Sequence, residues 1–274
     1  MLIDYQYGPV TVYKAARTLF KKPLYYTHFY SLGDLLIDCG PSQIGGEVLP
    51  VVKKKAFQKL AVTHEHEDHC GNCSLIKEEL KIPVYAHPET LSYMANPPSI
   101  QLYRHLMWGA QPPVEGKPAP QNIRAGEFSV KVIHTPGHST GHISFFEPEN
   151  RFLFCGDLYL GEKLNGFMDG ENIADHLQSL EKVIALQPAV IFCGLKGKLE
   201  DATNRLKRKR ETWWELSCQA IEMHEKGYSR NEILQKFFSG EVYFFYLSER
   251  NWGRGYMLDS ILENIDFFKK KATP

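Results

Sequence analysis

The stretch HEHEDHCGNC, residues 64–73, places three histidines, an aspartate and two glutamates in six consecutive positions, with two cysteines just after. In an extended or turning loop, side chains repeat with period two. His64 and His66 therefore point the same way, Asp68 continues that spacing, and His69 diverges toward a neighbouring point. One short loop can in this way serve two adjacent metal positions. Imidazole and carboxylate donors suit Zn²⁺, Fe or Mn rather than Ca²⁺. Glu65 and Glu67 face away on this spacing and read as salt-bridge or surface groups. A bare surface histidine patch is the competing reading, and HxHxDH at the end of a buried strand is too specific for it.

The flanking sequence supplies the elements that must position these groups. KLAVTH (59–64) is an apolar run that delivers the cluster onto a loop after a buried strand. SLIKEELK (74–81) has helical composition, and IPVYAHP (82–88) returns to strand. Upstream, LYYTHFYSL and DLLIDCG are β-prone runs joined by an SLGD turn. Downstream, EFSVKVIH (127–134) alternates as a half-buried strand, TPGHSTGH is a tight loop, and ISFF and RFLFCGD are strands joined by EPEN. Ile173, Leu177, Leu180, Val183 and Ile184 fall on one helical face, and AVIFCG (189–194) reads as another buried strand. Between these segments, residues 96–120 hold six of the sixteen prolines. That stretch reads as a long excursion with one short helix at IQLYRHLMWG, either a binding loop or a surface insertion.

Three further stretches join the cluster in a family pattern. THEHEDHCGN (63–72) resembles the T-H-x-H-x-D-H-x-G signature of metallo-β-lactamase-fold hydrolases. HTPGHSTGH (134–142), LFCGD (153–157) and IDCGPS (37–42) resemble that family's remaining segments in order and spacing. The resemblance covers residues ~25–200 and implies an α+β chain folded as an αββα sandwich. It implies His64, His66 and His138 at a first metal, Asp68 and His69 at a second, and Asp157 bridging. A hydroxide held between the metals would be the nucleophile, since a divalent ion lowers the pKa of bound water toward ~7 and polarises the scissile group.

The pattern breaks at one place. The family's sixth ligand is a histidine in a turn after the last strand of the body, and here that turn reads FCGLKG (192–197). Leu195 has no donor atom, and Lys196 is cationic unless its pKa falls sharply. The second zinc is therefore weakened, or one metal binds alone, or His176 or His142 reaches in, although each of these reads more simply as supporting or core histidine. With one metal, Asp68 is freed as general base. Lys196, Trp108 and His176 are tentative substrate contacts. Trp252 is a further lining candidate, and Trp213 reads as core.

Cys39, Cys155 and Cys193 sit in motif turns, and Cys70 and Cys73 form a CxxC. These read as small buried residues rather than a sulfur-handling site or a zinc pair. Lys+Arg and Asp+Glu both number 32, so the chain lacks the basic field of a dedicated nucleic-acid binder. No apolar run approaches a membrane span, and MLIDYQYG has no signal-peptide pattern. Six cysteines in 274 residues without such a signal suit reduced thiols in a cytoplasmic protein. After about residue 200 the composition turns helical. TNRLKRKRETWWELSCQAIEMHEKG ends at Gly227, Ser229 and Glu232 make a capping box, and YMLDSILENIDFF reads as a third helix.

The expected organisation is therefore a body over 1–200 and a helical extension over 201–274. The expected activity is zinc-dependent hydrolysis of a small ester, thioester or lactone, with Fe or Mn as alternative ions. A small-molecule substrate is expected, without nucleic-acid or membrane partners, and a homodimer is allowed. Two rivals stand beside this. One is a mononuclear iron oxygenase resembling the persulfide dioxygenases, with ligands drawn from His64, His138 and Asp157. The other is a non-catalytic binding protein that has lost its sixth ligand.

Overall fold

A computed structural model describes residues 1–163 and 166–272 of the chain. Two sheets face each other. The first runs in sequence order: β1 (Leu2–Tyr7), β2 (Val10–Ala15), β3 (Thr27–Leu32), β4 (Leu35–Ile37), β5 (Lys59–Ala61), β6 (Val84–Ala86) and β7 (Lys117–Pro118). Its first four strands pair antiparallel and the rest parallel. The second sheet is β8 (Asn122–Ala125), β9 (Phe128–His134), β10 (Ile143–Glu147), β11 (Phe152–Gly156), β12 (Val190–Cys193) and β13 (Gly197–Glu200). Only β11 and β12 are parallel there, because the helix α6 (Ile173–Ala185) forms the crossover between them.

Apolar side chains of both sheets meet in one core, where Tyr30, Leu32 and Ile37 oppose Phe145, Phe154 and Phe192. Phe154 and Phe192 stack at 4.7 Å, and the Tyr30 hydroxyl crosses the interface to donate to the Cys193 carbonyl at 2.7 Å. The outer face of the first sheet is covered by α1 (Gly45–Lys53), α3 (Cys73–Leu80) and α4 (Pro88–Ala95), through Val48, Val52, Ile76 and Met94. The outer face of the second is covered by α6 and α7 (Ala202–Glu225), through Leu180, Val183, Ala202 and Leu206. The four layers form the expected αββα sandwich, since strands buried on both faces need a helical cover outside and a partner sheet inside.

The helices after residue 201 do not stand apart. Trp213, Ile221, Met257 and Leu258 form one apolar cluster with Phe167, Ile173 and Leu177 of the body. The capping box at Ser229 and Glu232 is present and opens α8 (Arg230–Phe238). The expected single last helix is instead two, α9 (Tyr243–Leu247) aside: α10 (Arg254–Glu263) ends at Asn264, and α11 (Ile265–Ala272) begins anew. Asn264 donates its side-chain amide back to the Ser260 carbonyl, a local bond that competes with helix continuation. In the 96–120 excursion only α5 (Leu102–Met107) is helical, and Lys117–Pro118 is an edge strand, where proline is tolerated.

Candidate metal centre

The period-two spacing holds for His64 and His66 and fails after them. At Glu67 the chain turns into a single helical turn, α2 (Glu67–Cys70), so Asp68 leaves the alternation. The helical turn brings His69 back beside His64, with ring centroids 4.2 Å apart. Glu67 is buried, as a salt bridge rather than a surface group. It accepts from Arg104 Nε at 2.9 Å and Nη2 at 2.7 Å. Glu65 accepts from Thr90 and Ser139 hydroxyls and so anchors the loops on either side.

Three imidazole nitrogens converge. His64 Nε2 lies 3.1 Å from His66 Nδ1, which lies 3.0 Å from His138 Nε2. Burial first, and then the neighbouring imidazoles, hold His64 and His66 well below the ordinary histidine range, so both are neutral. Neutral imidazole is the ligand form. His138 is carried to this point by the T-P-G-H turn, and glycine is required there. Gly137 has φ +134°, and a Cβ on it would lie 2.5 Å from the His176 backbone nitrogen.

Beside this trio lies a second set. His69 Nε2 is 3.2 Å from Asp157 Oδ1 and 3.7 Å from Asp68 Oδ2. His64, His69 and Asp157 group tightly enough to share an ion, with Asp68 one step farther out. The other nitrogen of His69 is committed. Its Nδ1 pairs at 2.8 Å with Asp38 Oδ2, while Asp38 Oδ1 accepts from the Thr63 backbone N–H at 2.7 Å. Asp38 itself adopts φ +59° in the turn after β4, which aims its carboxylate inward. Burial pulls the His69 imidazole down, but Asp157, Asp68 and Asp38 together lift it well above the ordinary range. Burial raises Asp157, and His69 and His138 outweigh it, bringing the carboxyl to about 2. Burial, with Asp157 beside it and His69 opposing, sets Asp68 at about 6.

This donor set fits a divalent cation. His69 Nε2 and Asp157 Oδ1 are buried and form no good hydrogen bond, and three carboxylates surround one imidazole. No other histidine reaches in. His142 is occupied on both sides, with Nδ1 against the Thr135 hydroxyl at 2.8 Å and Nε2 accepting from the Asp157 backbone N–H at 3.3 Å. His176 is buried behind His138 rather than in the cavity. Its Nε2 pairs with Glu171 Oε2 at 3.0 Å, and its ring stacks on Phe167 and meets Trp213 edge-on.

Glu171 is the group that sequence reasoning missed. Its Oε2 lies 3.1 Å from His138 Nδ1 and 3.0 Å from His176 Nε2, while Oε1 accepts from the Met168 N–H at 2.7 Å. No spacing rule links Glu171 to His138; the only signal was an acidic residue just ahead of an asparagine cap at Asn172.

At the turn of the absent sixth ligand, the backbone itself approaches. A Cβ on Gly194 would lie 2.4 Å from Asp157 Oδ1 and from His69 Cε1. Leu195 faces a cavity of about 460 Å³ beside the cluster, whose described lining also includes Trp108 and Trp252. Lys196 is exposed and lies outside that described lining, and Trp213 is buried in the core. All six cysteines are free, and the described lining contains none.

Two facing sheets with a buried histidine–aspartate pocket at their common end define a metallo-hydrolase fold. Comparison with known proteins assigns it further. A family model described as the metallo-beta-lactamase superfamily matches residues 33–195, and the chain belongs to that superfamily. A Beta-lactamase-like protein 2 homolog of Caenorhabditis elegans is 27% identical over 207 residues, covering 68% of this chain and 63% of that protein. A Hydroxyacylglutathione hydrolase of Legionella pneumophila (strain Lens) is 26% identical over 165 residues, 57% of each. The chain thus spans under two thirds of the length of either relative. A metallo-beta-lactamase family protein from Thermus thermophilus superposes with TM-score 0.69 at 18% identity, over 97% of this chain and 95% of that one. The fold likeness therefore extends through the helical tail. Among the described residues no helix is long and apolar enough to cross a membrane.

Proposed function

We propose that the chain is a metal-dependent hydrolase of small esters, thioesters or lactones. His64, His66 and His138 hold one zinc ion. His69, Asp157 and Asp68 would hold a second, more weakly. The observation that carries this reading is the convergence of three imidazole nitrogens beside the orphaned His69 Nε2 and Asp157 Oδ1. The Legionella relative, named for a thioester hydrolysis, supports the bond type. A bound divalent ion supplies an acidified water and an electrophile for the scissile carbonyl.

The remaining work falls to the chain's own groups. Glu171 fixes the His138 tautomer through Nδ1, leaving Nε2 free to bind. Asp38 does the same for His69. Where only the first ion is bound, Asp68, at about 6 and so ionised at neutral pH, is free at the cavity wall as general base for the attacking water. Elemental analysis of protein purified without chelators, repeated for Asp68→Ala, tests the reading. Close to two zinc per chain, falling toward one in the variant, is the expected result. One iron per chain, unchanged in the variant, would overturn it in favour of an oxygenase.

A further inference from the structure

We propose that the cavity beside the metal centre takes an apolar, uncharged acyl group longer than acetyl, with the scissile carbonyl at the histidine end; this rests on the hydrolase reading above. The cavity holds about 460 Å³, within the ~300–1,000 Å³ of small-molecule pockets. Its polar end is His66, His138, Asp68 and Asp157, the groups already assigned. Apart from Arg104 and Glu171, the rest of the described wall is aliphatic and aromatic, contributed by several separate parts of the chain. Tyr103, Met107 and Trp108 come from the proline-rich excursion, Leu195 from the turn after β12, and Phe244 and Trp252 from the tail.

Charge selects further. Arg104 is the one cation in the described lining, and both its Nε and Nη2 are engaged by Glu67. Away from the histidine end, a substrate carboxylate would find no unpaired side-chain cation in the described lining and would lie against apolar wall, so an acyl chain bearing a free acid is disfavoured. An apolar chain has the opposite preference, since each methylene moved from water to this wall gains about 0.8 kcal/mol, about fourfold in affinity. The wall is also held firm. The Tyr103 hydroxyl donates to Asn251 Oδ1 at 2.8 Å, and the Leu102 N–H donates to Glu249 Oε1 at 2.9 Å. Tyr103 meets Trp108 and Phe244 edge-on, which joins the excursion to the tail across the pocket. A wall of fixed aromatic faces rewards length and penalises charge without prescribing one chemical group.

The test is a series of p-nitrophenyl esters from acetate to octanoate, assayed with the metal-loaded protein as purified. The expected result is kcat/KM rising with chain length by up to about fourfold per methylene, at least about tenfold from acetate to hexanoate, until the cavity is full. In Phe244→Asp, at a residue 40% exposed and so tolerant of the change, the hexanoate-to-acetate ratio falls toward one. Binding is read separately, as saturable quenching of tryptophan fluorescence by octanamide, expected in the native protein and lost in Phe244→Asp. A flat ester series, a preference for acetate, or no saturable octanamide binding overturns the assignment. If octanamide binds but no ester is hydrolysed, the hydrolase reading fails and the cavity assignment stands. If esters are cleaved without chain-length preference, the reverse holds.

Discussion

Glu171→Gln should weaken the metal site at His138 by one to two decades. In the native protein one carboxylate oxygen serves two imidazole N–H groups, His138 Nδ1 and His176 Nε2, and the other serves the Met168 N–H. Glutamine keeps one oxygen and replaces the other with an NH₂ donor. If the amide oxygen stays on Met168, the NH₂ meets two N–H groups. His138 must then move its proton to Nε2, the atom that faces His66 and would bind the ion. If the amide flips, the NH₂ meets the Met168 N–H instead. The first arrangement puts a proton on the atom that would bind the ion; the second spares that atom but leaves the Met168 N–H without its acceptor, at a cost of about 1–3 kcal/mol. That corresponds to roughly 10- to 100-fold in affinity, the range seen when a partner behind a metal-bound histidine is removed. Competition against a chromophoric chelator reads the affinity. Asp38→Asn is the matched control, because Asp38 supports His69 rather than His138. Glu171→Gln should loosen the ion held by the three histidines, and Asp38→Asn the other. Native affinity at the three-histidine site in Glu171→Gln would refute the reasoning, for it would mean that the carboxylate does not set the His138 tautomer.

Three other perturbations probe separate parts of the molecule. Leu195→His should restore a donor beside Asp157 and raise retention of the second ion by about tenfold or more against the same chelator; unchanged retention would mean the side chain cannot reach that ion. Gly137→Ala forces a Cβ to 2.5 Å from the His176 nitrogen at φ +134°, and thermal denaturation should show a loss of about 2 kcal/mol or more, whereas a native melting temperature would mean the T-P-G-H turn yields freely. Burial lowers the Lys209 ammonium from 10.5 to about 8, while its Nζ donates to the Leu158 carbonyl. Between those pH values the unfolded chain holds a proton the folded chain has released, so stability rises with pH, by roughly 3 kcal/mol in total. Urea unfolding of the native protein and Lys209→Met at pH 8 and pH 10.5 should show that difference opening, and parallel curves would sink the idea.

The parts of the site that sequence made legible are those whose chemistry depends on residue type and near spacing. His64, His66 and His69 lie within one loop and its helical turn, and few other roles account for three histidines at the end of a buried strand. His138 and Asp157 were placed by motif turns whose glycines the backbone needs. The groups that escaped are joined only by the fold. Asp38 and His69 are brought together by strands β4 and β5 running parallel, which carries the ends of both to one edge. Glu67 looked like a surface group because its partner, Arg104, lies on the excursion, where no periodicity fixes its direction. The alternation rule failed at Asp68 for a local reason. Three residues of extended chain were followed by a helical turn, and period two does not survive that change.

The tail is where position in the chain is least informative about role. Phe167–Met168, in the body, pairs antiparallel with Trp252–Gly253, near the end, in a two-stranded ribbon. That pairing sets Trp252 into the cavity wall and, through the Met168 N–H, holds the carboxylate that orients His138. From the other side, Trp213 of α7 packs edge-on against His176, which shares the same Glu171 oxygen. The helical extension therefore acts twice on one centre: it walls the pocket in front and backs His138 behind. A β-sandwich alone would expose the apolar face of Phe167 and Leu177 and leave the Glu171 carboxylate without its buried surroundings. In water that carboxylate would exchange its imidazole partners for solvent, and His138 would lose the fixed tautomer that leaves its Nε2 open to an ion.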